Sequence, residues 1–304
     1  MAEIIAILLQ TILPVVLIAG VGYLLQRRLH LDIRTLSRLS LYILTPCLAF
    51  NSISGSQMAP DEIGRMVAIS ALNVISMIAL GSITAGVLRL DRSRRSALAI
   101  SVAFANSGNF GLSICLFAFG EAGLDRAMIY FITSSLLSYS LGVFLASRGG
   151  KAGTVSASLK NALRMPILYA ALIGLLFNLT NATVPEPLMR TTDLAGRAAV
   201  PVMLIVLGMQ LTRIRLGQDL PRITVGTVLR LIVGPAVSLL LAGLLNLAGV
   251  AWQVAVVQAA MPTAVTNVII SEEFESAPEF ASGMVLLTTL ASVITLTGLL
   301  RLIL

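Results

Sequence analysis

Apolar residues run through this chain in long blocks, separated by short clusters of Arg, Lys, Asp, Gly and Pro. At about 20 apolar residues per bilayer crossing, the blocks predict ten membrane spans. They are Ile4–Leu25, Leu36–Ser54, Ile63–Leu88, Ser96–Phe119, Ala127–Ala146, Pro166–Thr180, Leu194–Leu211, Ile223–Leu247, Trp252–Ser271 and Phe280–Leu302. The sixth is the shortest, and its start could lie as early as Leu159. The blocks are helix-length, unlike the roughly ten-residue alternating segments of an outer-membrane barrel. Glu3 and the lack of an early Lys or Arg make the first block a retained span rather than a cleaved secretory signal.

The fourth block holds the least lipid-like stretch of the chain, Ala105-Asn106-Ser107-Gly108-Asn109-Phe110-Gly111. Asn offers the backbone competing hydrogen bonds and Gly lowers helix propensity, so the segment predicts a broken helix. Irregular backbone at that depth is tolerated only where protein or water surrounds it. The ninth block carries a comparable interruption, with Gln258, Pro262, Thr263, Thr266 and Asn267. Proline inside a helix removes one backbone hydrogen bond and clashes with the preceding turn.

Basic residues set the expected topology. Fifteen of the 21 Lys and Arg lie in the loops after spans 1, 3, 5 and 7, and Arg230 lies within span 8 towards its basic end. The positive-inside rule puts those loops in the cytoplasm and both termini outside, as in a multi-pass protein of the cell inner (plasma) membrane. Glu272, Glu273, Glu275 and Glu279 fall on the cytoplasmic side, but acidic residues carry little topological weight. The connector from Ser147 to Leu163, with Gly149, Gly150, Lys151, Gly153, Ser156 and Ser158, divides five spans from five. Because five is odd, residues 151–304 enter the membrane opposite to residues 1–150, the arithmetic of an inverted repeat in a single membrane domain. Pro46 and Pro201 are 155 positions apart, and Asn106 and Pro262 are 156 apart, which fits that repeat.

Composition agrees. The 304 residues are 57% hydrophobic and 12% charged, and mean hydropathy is +0.94, far from a soluble domain. The net charge of +7 belongs to short-loop topology signals and not to a nucleic-acid surface. Cys47 and Cys115 lie inside spans and read as packing residues. The single His, His30, sits in a loop among Arg27, Arg28 and Arg34, which leaves no His-based metal or catalytic cluster. The sequence implies no cofactor and no metal site.

If the fourth and ninth helices break at mid-depth, each supplies a half-helix N-terminus with free N–H groups and partial positive charge. Such an end suits a carboxylate. Asn106, Asn109, Ser113, Thr263, Thr266 and Asn267 are the candidate substrate contacts, and Gly108, Gly111 and Pro262 the helix-breaking residues. Asn109, Gln258 and Thr266 could also offer neutral oxygens to sodium. The bland alternative is that these polar groups join helices and the glycines permit close packing. Asn51 and Asn73 read as packing amides.

The chain resembles the auxin efflux carrier family. Asn106-Ser107-Gly108-Asn109-Phe110-Gly111-Leu112 followed by Gly120 is similar to the family's Asn-x-Gly-Asn-x-Gly-Leu-Pro pattern. Met261-Pro262-Thr263 running into Glu272-Glu273-Phe274, and Leu41-Tyr42-Ile43-Leu44-Thr45-Pro46, are similar to two further family segments. The resemblance implies ten transmembrane helices in two inverted five-helix repeats, with helices 4 and 9 crossing where they unwind. It implies small organic anions as substrates, such as auxin or a dicarboxylate. By position it makes Asn106, Asn109, Thr266 and Asn267 site residues. Ser113 and Asn267 stand where the family usually has its crossing prolines. The expected function is therefore a secondary transporter working by alternating access in a lipid bilayer. A sodium-coupled carrier of the bile acid type is the runner-up, and a non-transporting receptor comes after it. An intramembrane enzyme is disfavoured, because no nucleophile–base pair shares one depth. Substrate identity, a coupling proton or sodium, and a homodimer stay open.

Overall fold

A computed structural model of the chain describes residues 2–150, 160, 163–215 and 219–304. Among these, all regular structure is helical. Six helices are long and apolar enough to cross a membrane: α1 (Ile4–Leu29), α3 (Pro60–Val87), α5 (Ser107–Gly149), α7 (Glu186–Leu211), α8 (Leu220–Leu244) and α11 (Pro278–Ile303). The other expected spans are shorter or interrupted. The second is α2, residues 33–54. The sixth is α6 (Pro166–Thr180). The fourth begins as α4 (Arg92–Ala103) and resumes in α5. The ninth is split into α9 (Gly249–Ala259) and α10 (Thr266–Glu273). Of the expected connector, Lys151, Gly153, Ser156 and Ser158 lie outside the described residues.

Proline shapes three of these helices in the same way. Pro14, Pro46 and Pro235 each sit two residues after a π-helical turn, at Leu8–Ile12, Ser40–Leu44 and Leu229–Val233. The proline ring cannot donate and crowds the carbonyl four residues back. The wider turn accommodates that carbonyl, so the helix continues instead of ending. Gly120 does the opposite. Its φ of 65° and ψ of −159° fold α5 sharply where sequence predicts a loop between spans 4 and 5. That conformation is open essentially to glycine alone.

Glycines also set which helices touch. A Cβ at Gly22 of α1 would collide with the Ile205 backbone of α7, and one at Gly208 of α7 with the Ala19 backbone of α1. A Cβ at Gly174 of α6 would lie 2.9 Å from the Phe50 carbonyl of α2. Helices therefore pack backbone to backbone at these points, as close association in lipid favours. Interior positions such as Ile12, Met66, Ile69, Leu98, Ile114 and Leu204 are sealed, while Leu24, Ile83, Leu240, Leu244 and Ile294 face outward. An aliphatic exterior of this kind matches hydrocarbon as solvent.

Candidate functional site

The two interruptions meet in the buried interior. α4 stops because Phe104 is extended, at φ −100° and ψ 103°. The Asn106 N–H donates to the Pro262 carbonyl at 2.7 Å, and the Ala264 N–H donates to the Phe104 carbonyl at 3.1 Å. Ala105 and Thr263 thus form an antiparallel bridge, the only β-type pairing among the described residues. Two unwound segments, each a poor structure alone, satisfy one another's backbone.

The carbonyls at the end of α4 are fully accounted for. Ile100 and Phe104 accept from Asn267 Nδ2 at 3.3 and 2.9 Å. Ser101 accepts from Thr263 Oγ1 at 2.9 Å. Val102 and Ala103 accept from Arg230 Nη1 at 2.6 and 3.2 Å. The same guanidinium donates through Nη2 to the Ala259 carbonyl, at the end of α9. The Thr263 N–H is held by Thr288 Oγ1 at 3.0 Å. Thr263, Asn267 and Gln258 are completely sealed, and Ser107 nearly so. The crossing is therefore closely packed, with side chains capping helix ends that lipid would leave unsatisfied.

These bonds sort the sequence-derived candidates. Thr263 and Asn267 brace the end of α4, and Ser113 Oγ donates to the Asn109 carbonyl at 3.2 Å. Gln258 donates from Nε2 to the Ser107 carbonyl at 3.4 Å. Asn106, Asn109 and Thr266 form no side-chain hydrogen bond among the described residues, and Asn109 and Thr266 are only half-buried. Pro262 lies in the break itself. Gly108 and Gly111 lie just after a break, inside the π-helical turn Ser107–Leu112 that opens α5. Their work there is close approach. A Cβ on Gly108 would press on the Phe131 ring at 2.6 Å, and one on Gly111 would strike the Gln258 amide. Several buried polar atoms at the crossing have no partner: Ser101 Oγ, Ser107 Oγ, Gln258 Oε1, Asn267 Oδ1 and Arg230 Nε.

Asn51 and Asn73 act as packing amides. Asn51 Oδ1 accepts from Thr192 Oγ1 at 2.7 Å, and Asn73 Nδ2 donates to the Gly234 carbonyl at 3.2 Å. Arg230, which the sequence places within span 8 towards its basic end, also stands at the crossing. The signal was present, since a lone ionisable residue inside a span is costly and usually functional. A separate cavity of about 500 Å³ lies beside the start of α4, lined by Arg92, Arg95, Arg148, Ser96 and Ala99.

A family model described as membrane transport protein matches residues 7–300. An uncharacterized transporter of Methanothermobacter thermautotrophicus is 29% identical over 295 residues, covering 94% of this chain and 95% of its own. An uncharacterized transporter of Methanocaldococcus jannaschii is 22% identical, covering 86% and 87%. A Rhizobium meliloti protein provisionally named a malonate transporter is 30% identical over 207 residues, covering 66% of this chain and 65% of its own.

Proposed function

The chain belongs to the membrane transport protein family, that of the auxin efflux carriers it resembles, and from that membership we propose a secondary transporter that moves a small organic anion by alternating access. Its family and the transporter names of its relatives support a multi-pass membrane transporter, and in this reading it is not an enzyme. The substrate, in this reading, is a small carboxylate, with malonate-like dicarboxylates first because of the name one relative carries.

The observation that carries the proposal is the pairing of the two breaks through Asn106 and Pro262. It brings the N-termini of α5 and α10 beside one crossing, and helix N-termini carry positive partial charge; at α10 the Asn267 and Val268 N–H groups donate to the Ala264 and Val265 carbonyls, so charge more than free donors is on offer there. Asn106 and Asn109, whose side-chain amides form no hydrogen bond among the described residues, would supply donors to the carboxylate, and Thr266 a hydroxyl. Thr263, Asn267, Ser113 and Gln258 would hold the frame. In this account residues 1–150 and 151–304 are inverted five-helix repeats, with the basic loops cytoplasmic and both termini outside. The contacts of Gly22 with Ile205 and of Gly174 with Phe50 support it, since they join span 1 to span 7 and span 6 to span 2. Exchanging equivalent spans of the two halves turns one contact into the other. Transport would proceed by one bundle rocking against the crossed pair.

Thermal unfolding of the purified protein with a panel of mono- and dicarboxylates tests the binding step. Stabilisation by at least one acid in wild type, absent in Asn109→Ala, is expected. Equal stabilisation of the mutant would move the site elsewhere.

A further inference from the structure

Arg230 is 1% exposed and lies in the π-helical turn Leu229–Val233 of α8. Its guanidinium donates to three carbonyls, those of Val102 and Ala103 at the end of α4 and of Ala259 at the end of α9. Among the described residues it forms no ion pair. Gly234 leaves room for it: a Cβ there would lie 3.1 Å from Arg230 Nη2 and 2.9 Å from the Ala259 carbonyl. A charged group so deep in a membrane protein is expensive, and carbonyl dipoles rather than a carboxylate are what offset it here.

We propose that Arg230 is the built-in counter-charge of the crossing, a positioning residue that does permanently what a cation bound from solution would otherwise have to do. A helix C-terminus carries about half an elementary negative charge. Two such ends converge on Arg230, and one guanidinium offsets both. The partial positive charges at the N-termini of α5 and α10 are then left unopposed. They face the substrate, so Arg230 raises anion affinity without touching the anion. A second cation at Asn267 Oδ1 would share one helix end with the guanidinium, since both side chains bond to carbonyls of α4 between Ile100 and Phe104. The fixed charge repels it, and the crossing needs no sodium. The consequence for anion affinity rests on the transporter reading above; the counter-charge itself does not.

Arg230→Lys and Arg230→Gln separate charge from hydrogen bonding. Lys keeps the charge and loses the planar fork, while Gln keeps a donor and loses the charge. Arg230→Lys is expected to keep flux within about tenfold of wild type, and Arg230→Gln to lose about a hundredfold, mostly through a raised KM. Gln matching or exceeding Lys would overturn the proposal. Thermal unfolding supplies a readout independent of substrate. Arg230→Ala should be destabilised and regain stability with millimolar guanidinium but not with choline, and wild type should be indifferent to sodium at matched ionic strength. A mutant that guanidinium and choline affect alike, or a wild type that sodium stabilises, would overturn it too. If Arg230→Ala does not fold, the Lys and Gln pair decides. If wild type moves no acid, the transporter reading fails, and the guanidinium response still decides the role of Arg230.

Discussion

The backbone N–H of Asn106 and the carbonyl of Pro262, 2.7 Å apart, join two helix interruptions that are 156 residues apart in sequence. Neither break is tolerable alone in hydrocarbon, because unpaired backbone groups cost several kcal/mol each there. Paired, they form one structure, and the side chains around it divide into those that bond to the frame and those that form no side-chain hydrogen bond among the described residues.

Asn267 belongs to the frame. Its amide spans the Ile100 and Phe104 carbonyls, so Asn267→Ala removes two bonds from a sealed site. A loss of about 1–3 kcal/mol is expected, seen as a lower unfolding temperature of the detergent-purified protein. An unchanged temperature would contradict the bracing role.

Gly111 tests the packing of α5 on α9. A methyl group at this position drives into Gln258, so Gly111→Ala should destabilise by about 1–3 kcal/mol. The double mutant Gly111→Ala/Gln258→Ala should recover part of that loss, because truncation removes the obstacle. A double-mutant cycle in unfolding measures the coupling, and simple additivity would count against the contact.

Gly22 and Gly20 form a matched pair on α1. Gly22 meets the Ile205 backbone, whereas Gly20 has nothing within 4 Å of a Cβ. Gly22→Ala should separate α1 from α7 and cost about 1–3 kcal/mol or more. Gly20→Ala should be neutral or gain up to about 1 kcal/mol of helix propensity. Unfolding of the two variants side by side checks the difference.

Much of this was legible in the sequence because lipid imposes simple rules. Apolar block length located the helices. Asn and Gly in block 4 and Pro262 in block 9 marked the interruptions that pair in space. The finer placement was not legible. The glycine cluster suggested a break at Gly108 to Gly111, yet the helix ends earlier, at Phe104, and the glycines serve contact with Phe131 and Gln258. Which polar side chain is spent on a carbonyl depends on tertiary partners, so Asn267 and Asn109 look alike in sequence and differ in structure. Arg230 reads as a topology signal in sequence, because local sequence does not show that a π turn before Pro235 aims it at two helix ends.

In the function proposed above, this chain carries a small carboxylate at the crossing. The most direct measurement is flux of radiolabelled mono- and dicarboxylates into liposomes holding wild type or Asn109→Ala. Saturable uptake of at least one acid by wild type, loss of that uptake in Asn109→Ala, and nearly coincident unfolding temperatures of the two proteins are expected. Wild-type uptake by Asn109→Ala, or no carboxylate flux under any imposed gradient, would contradict that function.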